Sequence, residues 1–131
     1  MLAMTKYPAD YIASVRGLID ERVAVFHKLG DVPVEVATAY FTDMVLVLEL
    51  AFVHRQRKDE GKDGNPLNEL RLLAVSLLTN GGRMVDGKSL KLRPEASILG
   101  YAEGDAIAVT ESDFLRLVDG VLTEITKRFS E

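Results

Sequence analysis

The sequence predicts a mainly α-helical bundle of about four helices, with a small antiparallel hairpin or sheet between the third helix and the last. Apolar residues recur at three- and four-residue spacing along four stretches, and recognisable start and stop residues bound those stretches. Only between Arg83 and Val109 does the period shorten toward that of a strand. With 131 residues, 47% of them apolar, the chain suits one domain over 1–131 built on a single core.

The first helix is expected over 8–29, where Tyr11, Val15, Leu18, Ile19, Val23, Phe26 and Leu29 alternate with charged residues and Gly30 closes the element. Asp31 then reads as an N-cap with Pro33 just inside a second helix over 33–58 and Glu35 in its first turn. Between Met44 and Val53 this helix has almost no polar face, so it must be covered on every side. After His54 the mixed-charge run HRQRKDEGKDGN reads as a solvated helix end passing into a loop. Asn65 as N-cap and Pro66 at the first helical position open a third helix over 66–80, striped by Leu67, Leu70, Leu73, Ala74, Leu77 and Leu78. In the 83–109 region, Asp86-Gly87 between short apolar runs signals a hairpin, and Pro94 to Leu99 suits one helical turn stopped by Gly100. Thr110, with Asp113 three residues on, caps a final helix over 111–129.

Composition removes several functions. Sixteen Lys and Arg against 20 Asp and Glu leave a net charge of −4, which disfavours non-specific nucleic-acid binding. Without cysteine there are no disulfides, thiolate metal sites or cysteine nucleophiles. Neither of the two histidines, His27 and His54, sits in a Glu-x-x-His or His-Glu-x-x-His pattern, so no metal and no cofactor is expected. Glu35, Asp43 and Glu49 interrupt the most apolar stretch, which argues against a membrane span. The N-terminus lacks an apolar run behind its lysine, so a cytoplasmic location is expected.

The segment Gly82-Arg83-Met84-Val85-Asp86-Gly87-Lys88-Ser89 fits the phosphate-binding pattern GxxxxGK[ST], yet its flanks do not. A helical stripe precedes it, and a strand-like run ending at Pro94 follows it where the motif needs a long helix, so a helix stop followed by a hairpin is preferred. No serine lies in a nucleophile elbow, and no catalytic residue is assigned. Glu49, charged within an apolar run, reads as a structural ion pair with Arg22 or Arg71, as a residue at a subunit seam, or as a functional acid. His27, on one face with Asp20, reads as half of a surface helix pair rather than as a catalytic base. The basic group Arg55, Arg57, Lys58 and Lys62 is interleaved with Asp59, Glu60 and Asp63, which suits a solvated loop better than a phosphate contact.

Gly64-Asn65-Pro66-Leu67-Asn68-Glu69-Leu70-Arg71, with Ser97 to Gly100, Gly104-Asp105 and Thr110 to Phe114, resembles a family of small bacterial proteins of unassigned function. That family carries a GNPLNE-type segment preceded by an aromatic–His–Arg sequence, here Phe52-Val53-His54-Arg55 with one residue inserted, and a similar final helix. The resemblance spans the C-terminal two-thirds and implies no activity.

Two functions are carried forward. The first is a non-enzymatic homo-oligomeric binding or assembly protein, a two-fold homodimer whose interface includes Phe41, Met44, Val45, Leu48 and Phe52 on the second helix. The alternative is a small-ligand or phosphate-binding protein, or an enzyme acting on such a ligand, using Arg55, Arg57, Asn68, Glu69 and Arg71 beside the free N-terminus of the third helix. A hydrogen-bonded loop clamp is the structural reading of the same residues.

Overall fold

The computed structural model describes residues 7–53 and 61–129. Among them are four α-helices: α1 (Ala9–His27), α2 (Val34–Ala51), α3 (Pro66–Thr79) and α4 (Glu111–Phe129). Helix α1 runs antiparallel to α2, since the Tyr11 hydroxyl donates to the Ala51 carbonyl at one end and the Tyr40 hydroxyl to the Arg22 carbonyl nearer the other. It is antiparallel to α4 as well, through ion pairs from Arg16 to Asp119 and from His27 to Glu111. Helix α3 packs between α2 and α4, with its N-terminal loop reaching the end of α4 through Asp63 and Arg128. The result is an up-down-up-down bundle.

One core runs through it. Ile19 and Phe26 from α1, Phe41, Val45 and Leu48 from α2, Leu70 and Leu73 from α3, and Phe114, Leu117, Val118, Val121 and Ile125 from α4 are buried together. Phe41 stands at the centre of an aromatic group, 4.9 Å from Phe26 and 5.9 Å from Phe114 between ring centroids. A second aromatic group closes the far end of the α1–α2 hairpin. Tyr7 and Tyr11 stack at 5.5 Å and both meet Phe52 edge-on. Their hydroxyls donate to the Phe52 and Ala51 carbonyls, which satisfies acceptors that the end of α2 leaves without intrahelical partners.

Several boundaries differ from the sequence expectation. Pro33, rather than Asp31, occupies the N-cap of α2, with no side-chain cap, and Val34 is the first helical residue. The helix ends at Ala51, short of 58; residues 54–60 lie outside the described part. At α3 the expected cap is present: the Asn65 side chain accepts from the Leu67 and Asn68 amides at 2.8 and 3.2 Å. The Thr110 hydroxyl likewise accepts from the Asp113 amide at the start of α4.

The small sheet is not there. Among the described residues the 83–109 region has no strand, only one isolated antiparallel bridge between Arg83 and Ala106. Asp86-Gly87 leads into a 3-10 turn at Lys88–Leu90 instead of a hairpin, and a second 3-10 turn forms at Pro94–Ala96. The reason is that α3 supplies the hydrogen-bond partners a second strand would have offered. Ser76 Oγ accepts from the Val85 amide at 3.0 Å, and Glu69 takes the amides of Ile98 and Leu99. Backbone donors satisfied by side chains need no ladder. The turn also removes the phosphate-loop reading, because Lys88-Ser89 opens three residues of 3-10 helix and not the long helix that motif requires.

Candidate functional site

Two features of this frame bear on function: the polar clamp at the start of α3 and the outer surface of the α1–α2 hairpin.

The clamp is built by Gly64, Asn65, Asn68 and Glu69. Asn68 Oδ1 accepts from the Gly64 and Asn65 amides at 3.0 and 3.2 Å, while its Nδ2 donates to the Gly61 carbonyl at 2.8 Å. With the Asn65 cap this uses the N-terminal amides of α3, so that end is closed by its own chain and is not an open anion site. Gly64 has φ +77°, and a Cβ there would fall 2.6 Å from the Lys91 carbonyl oxygen, a position only glycine can occupy. Glu69 is 2% exposed, and its two carboxylate oxygens accept from Ile98 N at 2.7 Å and Leu99 N at 2.8 Å. Burial pushes this carboxyl above the ordinary carboxylate value, against the two amides and the Arg116 charge, which favour ionisation. Arg116 completes the arrangement by donating to the Ile98 carbonyl at 3.1 Å and pairing with Asp113 at 2.9 Å.

Asn68 and Glu69 therefore hold two loops against the bundle and present no polar atom to a ligand. Arg71 is half-buried on the same helix. Arg55 and Arg57 lie outside the described residues, so the five residues of the ligand reading are not seen to converge. A concavity of about 300 Å³ does exist elsewhere, lined by Met84 to Lys88, Leu92 to Glu95, Tyr101 and Glu103, and none of those five residues lines it. Lys88 and Arg93 line it together with Asp86, Glu95 and Glu103, a mixture that selects no single charge. Among the described residues no group of His, Asp and Glu is placed to hold a metal ion, and no helix is long and apolar enough to cross a membrane.

The expected interface residues are also relocated. Phe41, Met44, Val45, Leu48 and Phe52 are all buried in the core of the single chain, because α3 and α4 pack on that side of α2 and rings of α1 meet Phe41 and Phe52. The uncovered side is different but still apolar. Val36, Ala39, Asp43, Val47 and Leu50 recur at helical spacing on one stripe and are all exposed, Leu50 at 53%. Beside it, α1 exposes Leu18, Arg22 and Val25, and the turn after it exposes Leu29 at 65%. Arg16 and His27 mark the α4 side of α1, and the Leu18–Leu29 stripe lies on the opposite flank, where Tyr11 and the Arg22 carbonyl meet α2. The two stripes thus flank one seam and form one surface.

His27 Nε2 lies 2.7 Å from Glu111 Oε2, so its partner is on α4 and not Asp20. Glu49 is buried, and Arg22 pairs with its neighbour Glu21 at 3.1 Å rather than with Glu49. Sequence reasoning missed Tyr7, fully buried ahead of α1; its signal was an aromatic pair, Tyr7 and Tyr11, one helical turn apart. The chain matches no protein-family description, no curated protein and no solved structure.

Proposed function

We propose that this chain is a non-enzymatic, self-associating binding or assembly protein of the cytoplasm, working through a helical surface. The observation that carries the reading is the seam between α1 and α2, where Leu18, Val25, Leu29, Val36, Val47 and Leu50 stand in water in the isolated chain. Single exposed apolar residues are ordinary, but a contiguous set on two adjacent helices favours a partner surface. The polar residues that suggested a ligand site support the bundle instead: Glu69 and Asn68 spend their acceptors on the chain's own amides. Light scattering coupled to size-exclusion chromatography tests the proposal. An oligomer at micromolar concentration is expected, with Leu50→Asp shifting it toward monomer while its helical circular dichroism stays unchanged. A strict monomer removes the reading.

A further inference from the structure

The same surface carries a charge pattern that specifies its partner. Along α1 the exposed stripe reads Leu18, Arg22, Val25, continued by Leu29 in the turn that follows; along α2 it reads Val36, Ala39, Asp43, Val47, Leu50. Each is apolar apart from one charge, and the charges are opposite. Asp43 has no hydrogen-bond or ion-pair partner among the described residues, and the Arg22 guanidinium meets only its exposed neighbour Glu21. The antiparallel register between the helices is fixed by Tyr11 against Ala51 and by Tyr40 against Arg22. In that register Arg22 lies level with Tyr40, within one helical turn of Asp43; Val47 lies within one turn of Leu18, and Val36 is level with Phe26, next to Val25.

We infer that the partner is a second copy of this chain, related by a two-fold axis parallel to α1 and α2, so that α1 of each copy lies on α2 of the other. Such an axis preserves level along the helices while exchanging them. It brings Arg22 of each copy within one helical turn of Asp43 of the other, a gap its long side chain spans, and sets Val36 and Val47 near the other copy's Val25 and Leu18. A two-fold axis across the helices would instead pack α2 on α2 and bring the two Asp43 carboxylates toward each other, which like-charge repulsion disfavours. The surface is thus self-complementary in both apolarity and charge. This inference rests on the self-association proposed above.

Sedimentation equilibrium on the full chain tests it with charge reversals. Arg22→Glu and Asp43→Arg, both at exposed positions, should each weaken the dimer at least about ten-fold, and the double variant should return its affinity to within a few-fold of the unaltered chain. An unaltered chain that stays monomeric overturns both the inference and the functional reading. A dimer indifferent to either reversal, or a double variant that is not rescued, overturns the arrangement alone and leaves self-association standing. Unchanged helical circular dichroism of the single variants identifies any loss of dimer as an interface effect.

Discussion

The Glu69 carboxyl is buried out of reach of water, and two peptide N–H groups bond to it in place of that water. Its carboxyl holds a proton more tightly in the folded chain than in the unfolded one, where its value is near the ordinary 4.5. The stability it contributes is therefore full below that ordinary value and falls as pH rises through the raised folded-state value. Glu69→Gln has no such titration and offers one acceptor where two are needed, leaving a buried amide unsatisfied at a cost of about 1–3 kcal/mol. Denaturant unfolding should show the gap between the two proteins widest on the acid side and narrowing toward neutral pH. At the neighbouring cap, Asn65→Ala should cost about 1 kcal/mol or more in the same measurement. Asn65 was legible from sequence because its partners are two and three residues away. The role of Glu69 was not, since the amides it holds lie 29 and 30 residues downstream, beyond any local pattern.

Helix α2 shows what periodicity can and cannot give. Its existence and start were readable from the apolar run and Pro33, yet which side was covered depended on three other helices. A run apolar all round gives no internal sign of the face left over. The distinction is measurable: Phe41→Ala, in the core, should cost about 3–5 kcal/mol, whereas Val47→Ala should stay within about 0.5 kcal/mol of the unaltered chain under conditions that keep it monomeric. The 83–109 region failed in the other direction. Alternation of apolar and charged residues suggested strands, but Ser76 and Glu69 of α3 reach the segment first and bind its amides one by one. Local patterns record which side chains seek the core; they do not record whether a strand or a helix side chain will answer the backbone.

At the scale of the molecule, four helices of this length enclose one core and leave the α1–α2 seam outside it. If two copies close over that seam, the melting temperature must rise with protein concentration, because association favours the folded form by mass action. Added salt should weaken the dimer modestly through its symmetric charge pairs while leaving the apolar contribution in place. A calorimetric series over a hundred-fold range of concentration, repeated at low and high salt, reads both effects.

The grip of α3 on an irregular stretch has a kinetic counterpart. Because the Ile98 and Leu99 amides are bonded to a side chain rooted in the bundle core, their protons should exchange with deuterated solvent as slowly as those of the central helical turns. A coil that opens only when the whole bundle does is, in isotope-exchange terms, part of the slowest cooperative unit.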